Sequence, residues 1–299
     1  MLARLTGRRA LGAGVVLVVL LAVGVAVRIG MRAESEPLDG PPAVARGGGQ
    51  AVQYTAGRHQ ANHVVVTETA LDDTRKNLRY VIDDVVRINA VAPGCVYPDP
   101  EDHTKVACTA MVDDMMTDAV STLHMSLSDA NDSVVVHNHV GPSSLYNFGY
   151  NEISLGSGKD TWTGTAQEAQ IVRGDNGDDT LTMSGRPGIV YGGKGDDTIH
   201  VDGGGSADGG PGDDVLYGGS GDESLHGEQG DDTIYGGPGD DLLYGGIGDD
   251  VLHGNSGDDM LRGDNRDGGR FDGGKDELYG GPGTDKLDGG PADDVVRQD

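Results

Sequence analysis

From Gly209 to Arg262 the chain repeats one nine-residue pattern six times without a slip: GGPGDDVLY, GGSGDESLH, GEQGDDTIY, GGPGDDLLY, GGIGDDVLH and GNSGDDMLR. Three further units lie at 174–200 (GDNGDDTLT, a degenerate MSGRPGIVY, and GGKGDDTIH), and two more start at 280 and 289 (GGPGTDKLD and GGPADDVVR). Positions 1, 2 and 4 are mostly glycine, and position 6 is a carboxylate in nearly every unit. Carboxylate oxygens beside exposed glycine carbonyls are hard ligands, and no thiol or regular histidine pair stands among them. That donor set suits Ca²⁺ and does not suit Zn²⁺.

The elements that must position these carboxylates follow from the aliphatic residue at position 8: Leu216, Leu225, Ile234, Leu243, Leu252 and Leu261 through the regular stretch. Positions 7 to 9 make a short strand with position 8 facing inward, by the period of two. Each unit is then a turn plus a strand. Two units return the chain over itself, so strands stack on strands 18 residues away. Equivalent carboxylates therefore pile into columns, where neighbours repel by roughly 3–4 kcal/mol at 4–5 Å and an effective dielectric near 20. Residues 171–299 hold 30 acidic against 9 basic side chains, so −21 of the chain's net charge of −27 sits here. One aliphatic residue in nine is too small a core to carry that load, and a positive partner has to complete the fold.

This GGxGxDxUx pattern resembles the RTX, or hemolysin-type, calcium-binding family, well over about 174–297 and loosely over 127–173, where LSDANDSVV and LGSGKDTWT fit the same frame. The resemblance implies an all-β fold, a parallel β-roll (a β-solenoid) of nonapeptide repeats. It also implies Ca²⁺ ions between successive turns on each flank, held by the position-6 residue and by turn carbonyls of units n and n+2. Carried over unit by unit, the metal ligands are Asp179, Asp197, Asp214, Asp232, Asp241, Asp250, Asp259, Asp285 and Asp294, with Glu223 in the unit at 218 one methylene longer. Asp214 would pair with Asp232, Asp232 with Asp250, and Asp241 with Asp259. The unit at 183 has no acid at position 6 and should carry no ion. Ala292 replaces the position-4 glycine of the last unit, and Glu228, Asn255 and Asp264 replace glycine at position 2.

Other chemistry is weaker in this sequence. The position-5 acids, such as Asp213, Asp231 and Asp240, are expected to face solvent. Asp264-Asn265-Arg266-Asp267-Gly268 looks slightly like an EF-hand loop, but its twelfth position is Lys275 and not Glu. Phosphate loops fail because paired aspartates flank the glycines and the Walker lysine is missing. His137 and His139 would face one side of a strand, and are expected to be exposed strand histidines. Tyr217, Tyr235, Tyr244 and Tyr279 occupy position 9 and are expected to form packing columns on the outer face. Met115-Met116 reads as ordinary core filling. No His-Glu-x-x-His and no Gly-x-Ser-x-Gly occurs, which removes the zinc-protease and lipase motifs.

The front of the chain has a different composition. Arg4, Arg8 and Arg9 precede an uncharged run from Ala10 to Val27, which ends in a small-residue site at Gly24-Val25-Ala26. Residues 1–30 read as a signal peptide, or as a membrane anchor if uncleaved. Residues 31–60, rich in proline and glycine, are expected to be a disordered tether. Cys95 and Cys108, the only thiols, are expected to form a disulfide that contributes about 3 kcal/mol. Residues 61–150 are read as an N-terminal β cap on the first coil, and 151–299 as the calcium-binding roll. The charge excludes nucleic acid as a partner, since a phosphate backbone demands Lys and Arg. Calcium ions are the expected partner, the membrane enters only through the N-terminal segment, and a cell-surface or glycan partner is not specified by the residues. The expected product is an extracellular or cell-surface, non-enzymatic module. The alternative is a secreted hydrolase with its catalytic part in 51–150, carrying His137 and His139 nearby and an RTX-type folding tail.

Overall fold

The computed structural model describes residues 42–48, 50–71, 77–91, 93–111, 120–138, 149–166, 170–185, 188–264 and 274–298. Within them the chain is all-β, in two long sheets of twelve and thirteen strands between which it alternates. One sheet contains Ser206–Pro211, Ser224–Gln229, Leu242–Ile247 and Met260–Asp264, and the other contains Val215–Tyr217, Thr233–Pro238, Val251–Ser256 and Glu277–Tyr279. Neighbours among these strands within each sheet are parallel, as a solenoid requires.

The inward column of position 8 is continuous. Leu216 pairs with Ile234, Ile234 with Leu252, and Leu252 with Leu278 in one sheet; Leu225 pairs with Leu243 and Leu243 with Leu261 in the other. All seven are fully buried. The repeat of 18 shortens to 17 between Ile199 and Leu216, and lengthens to 26 between Leu252 and Leu278, where residues 265–273 lie outside the described chain.

Several strands are longer than the three residues expected. Thr233–Pro238 runs from position 7 through position 3 of the next unit, with Ile234 and Gly236 both inward. The reason is the same two-residue period: position 1 falls on the inward face after position 8, and glycine there lets the strand continue.

The coils also begin earlier than residue 151. Val52–Thr55 and His63–Ala70 form a first turn, and Val120–Ser126 and Ser133–Asn138 stack on them in parallel. The tether expected over 31–60 is corrected accordingly: Ala43–Arg46 and Val52–Thr55 are strands, because Ala43, Ala45, Val52 and Tyr54 alternate inward and are buried. Beyond the first turn the pairing becomes antiparallel, from His63–Ala70 to Asn77–Asp83, Lys105–Met111 and Cys95–Val96. Cys95 and Cys108 face each other across the last pair and are bonded. The apolar run Ala10–Val27 and Met115-Met116 lie outside the described residues, among which no helix is long and apolar enough to cross a membrane.

Candidate metal centre

Positions 4 to 6 turn the chain from one sheet to the other. Successive turns lie one strand spacing apart, about 4.7–4.9 Å, and glycine makes that approach possible. Gly230, at position 4, has φ of 128°, and a Cβ there would stand 1.9 Å from the carbonyl oxygen of Gly212 in the preceding coil. Position 2 takes positive φ in most units as well, and three non-glycine residues adopt it: Asp175 (76°), Glu228 (82°) and Asn255 (73°). For an unbranched but bulky glutamate this costs about 1–2 kcal/mol. Glu228→Gly is therefore expected to raise stability by about 1 kcal/mol, read as a rise in the urea midpoint at unchanged m-value.

The turns bring the position-6 residues into two files. On one flank, among the described residues, the file is Asp132, Asp160, Asp179, Asp197, Asp214, Asp232, Asp250, Asp276 and Asp294. Along it, Oδ1 accepts the backbone N–H of the equivalent residue one coil earlier: Asp179 N–H donates to Asp197 at 2.7 Å, Asp214 to Asp232 at 2.8 Å, Asp232 to Asp250 at 2.9 Å and Asp276 to Asp294 at 3.0 Å. On the other flank are Glu223, Asp241, Asp259 and Asp285, with Glu223 N–H donating to Asp241 at 2.8 Å and Asp241 N–H to Asp259 at 2.9 Å. In Glu223, one methylene longer, it is Oε1 that accepts, from the Gly204 N–H at 2.7 Å.

Except in the last turns, where Asp285 Oδ2 accepts from Gln298 Nε2 at 3.0 Å, the second oxygen of these groups has no donor. Oδ2 of Asp132, Asp160, Asp179, Asp197, Asp214, Asp232, Asp241, Asp250, Asp259 and Asp276, and Oε2 of Glu223, are buried without a hydrogen-bond partner. From Asp179 onward these oxygens lie beside the position-1 glycine of their own unit. A Cβ on Gly227 would meet Asp232 Oδ2 at 2.2 Å and the Gly245 carbonyl oxygen of the next coil at 2.7 Å; on Gly245 it would meet Asp250 Oδ2 at 2.2 Å and Gly263 O at 2.6 Å. Glycine thus leaves a small cradle in which a carboxylate oxygen and a carbonyl oxygen converge, acceptor against acceptor. Asp285 and Asp294, in the last turns, are only half-buried.

Burial pushes up the carboxyls that follow, with nearby like charges adding to it. Asp179, Asp197, Asp214, Asp232 and Asp241 rise to about 7, Asp250 to about 8, and Asp132, Asp160 and Asp276 to about 6. An isolated acceptor pair of this kind needs a proton or a cation. The donors present, carboxylate and carbonyl oxygen, fit a hard divalent cation. Among the described residues no three His, Cys, Asp or Glu side chains converge, so backbone oxygens have to complete any shell.

Residues 189–206, 202–234, 235–265 and 272–297 match, in four copies, the RTX calcium-binding nonapeptide repeat. Residues 189–265 and 272–297 are thus similar to the RTX repeat family. No curated protein matches the chain. RTX nonapeptide repeats bind calcium ions, and the cradles beside Asp197, Asp214, Asp232, Asp241, Asp250 and Asp259 all fall within the matched RTX segment.

The repeat assigns Asp179, Asp197, Asp214, Glu223, Asp232, Asp241, Asp250, Asp259, Asp285 and Asp294 to position 6, and the structure sets every one of them in the two files. Asp132 and Asp160 stand at position 6 of the loosely fitting units LSDANDSVV and LGSGKDTWT without being assigned as ligands there, and Asp276 is not reached by the repeat at all. Asp276 is hidden because eight additional residues part it from its glycine, Gly263, although Gly274-Lys275-Asp276-Glu277-Leu278-Tyr279 keeps the second half of the repeat. The position-5 acids are exposed, and Asp213 and Asp231 each accept the N–H of the equivalent residue one coil later, at 2.9 Å. His137 is exposed on Ser133–Asn138, and His139 lies outside the described residues. The position-9 rings stack along the outer face: His200, Tyr217, Tyr235, His253 and Tyr279 follow one another at 4.5, 5.2, 4.9 and 4.8 Å between centroids, and Arg297 caps Tyr279. Their faces cover one another.

Proposed function

We propose that the protein is an exported, non-enzymatic calcium-binding β-roll that completes its fold on meeting extracellular Ca²⁺. The observation that carries this reading is the file of buried carboxylate oxygens, which from Asp179 to Asp276 are each set against a glycine carbonyl with no donor between them. Where calcium is scarce, the stacked charges oppose closure of the coils. Extracellular modules bind at roughly 10⁻⁴–10⁻³ M, and ions at that level neutralise the file so that binding free energy becomes folding free energy. Adjacent ions share coils, so binding is cooperative. The basic segment and the apolar run Ala10–Val27 serve as the export signal or anchor, and the chain acts as a secreted or cell-surface module.

Calorimetric titration of the chain with CaCl₂ tests this reading. Several ions per chain are expected, with a sigmoidal isotherm and a heat far exceeding simple ion transfer because folding accompanies binding. A stoichiometry near zero would reject it.

A further inference from the structure

We propose that the residue at position 1 decides which turns take an ion, and that it divides the chain into calcium-independent coils upstream and calcium-dependent coils downstream. The inference rests on the calcium reading above and adds where along the solenoid it applies.

Along the nine-carboxylate flank, position 1 is glycine from Gly174 onward, at Gly192, Gly209, Gly227 and Gly245, and each glycine keeps its cradle open. The strand register puts Leu155 at the place of Gly174, and Leu127 one coil before it. Leu127 and Leu155 are 2% and 0% exposed. Hydrocarbon therefore stands where the downstream glycines leave room, although Asp132 and Asp160 keep their places in the file.

The other flank shows the same exclusion in a second form. Where position 1 is Met183 or Val201, position 6 is Gly188 or Gly205 and not an acid. The apolar side chain takes the space of the missing carboxylate: a Cβ on Gly188 would lie 2.6 Å from Met183 Sδ, and one on Gly205 would lie 3.4 Å from Val201 Cβ. Met183 and Val201 are buried. The downstream units restore the other arrangement, with Gly218 beside Glu223, Gly236 beside Asp241 and Gly254 beside Asp259. Leu127, Leu155, Met183 and Val201 are thus plugs that specify ion-free turns.

The core is distributed to match. All the aromatic side chains among the largest fully buried ones, Tyr54, Tyr80 and Trp162, lie upstream of residue 170, in the same part of the chain as the antiparallel strands and the Cys95–Cys108 bridge, and the largest aliphatic ones run no further than Leu181, Met183 and Ile199. Beyond Gly205 the interior is reduced to the two facing columns of position-8 aliphatics, one from each sheet, with carboxylates at their sides. The upstream coils have enough apolar burial to close without an ion, and they offer the downstream coils a finished edge on which to stack.

Hydrogen exchange followed by mass spectrometry on the full chain, in chelator and in millimolar CaCl₂, tests this. Amides in 52–55, 63–70, 123–126 and 161–166 are expected to be protected equally in both. Amides in 224–229, 233–238, 242–247 and 251–256 are expected to gain about 100-fold protection or more only with calcium. Upstream amides that exchange in chelator as fast as downstream ones would overturn the division. A chain with no calcium response in any segment would overturn it too, and would place the fault in the calcium reading itself. The double variant Val201→Gly/Gly205→Asp is expected to add one ion per chain by calorimetry with upstream protection unchanged; an unaltered ion count would overturn the role of the plugs.

Discussion

In chelator, lowering the pH from 8 to 5 is expected to restore folded coils that calcium-free protein lacks at pH 8. Eight carboxyls of the nine-residue file are raised above their ordinary value of 3.8, to about 6 at Asp132, Asp160 and Asp276, about 7 at Asp179, Asp197, Asp214 and Asp232, and about 8 at Asp250. A carboxyl raised by folding binds its proton more tightly in the coil than in the unfolded chain. Its penalty is absent below about pH 4, grows as the pH rises toward the folded value, and is complete above about pH 8. A carboxyl held tenfold harder to ionise in the coil opposes folding by about 1.4 kcal/mol once it is charged. Summed along a file, this opposition is of the same order as the roughly 5–15 kcal/mol by which domains are usually stable. Saturating calcium inverts the trend, because an ion needs the deprotonated oxygen, so acid weakens binding through pH 7. Far-UV circular dichroism against pH, with and without calcium, checks both limbs. Calcium-free β content that rises from pH 5 to pH 8 would contradict the burial of uncompensated carboxylates.

Replacing a position-1 glycine by valine should damage the roll severely, and removing the neighbouring acid should repair part of the damage. In Gly245→Val the new Cβ would meet Asp250 Oδ2 at 2.2 Å and Gly263 O at 2.6 Å. Neither the buried carboxylate nor the backbone of the next coil can yield cheaply, so a loss of about 3 kcal/mol or more is expected. Gly245→Val/Asp250→Gly recreates the pairing found at Val201 and Gly205, with an apolar side chain in place of the carboxylate. It should recover the part of the loss that the carboxylate causes, while the contact with the Gly263 carbonyl remains, and it should be less calcium-dependent than wild type because one buried charge is gone. A double-mutant cycle by thermal denaturation reads the coupling, expected at about 2–3 kcal/mol. Additive losses would show that the valine and the aspartate do not compete for one space.

The period of the chain is enough to place Leu216 over Ile234 and Asp214 over Asp232, because a strict nine-residue repeat leaves one way to stack. Where the period slips, legibility falls in proportion. Asp276 requires the two halves of a unit, Gly263 and Gly274–Tyr279, to be joined across eight extra residues, and only the second half is written plainly. Ala43–Arg46 and Val52–Thr55 are four residues each amid glycine and proline, too short for alternation to declare itself, and they become strands only because a neighbouring edge is there to pair with. The direction of the carboxylate bonds is not legible either. Position 6 accepts from the coil before it and position 5 from the coil after it, a difference set by turn geometry and not by residue type.

The outer stack of rings gives the molecule two separate optical signals. His200, Tyr217, Tyr235, His253 and Tyr279 come one from each of five successive coils, so their transition dipoles couple only once those coils are in register. Trp162, the sole tryptophan, is sealed in a coil upstream of all of them. The part of the near-ultraviolet dichroism that is lost in a Tyr217→Leu/Tyr235→Leu variant then follows assembly of the distal turns, while indole emission follows the proximal ones, and the order in which the two ends close can be timed by stopped flow without attaching a label.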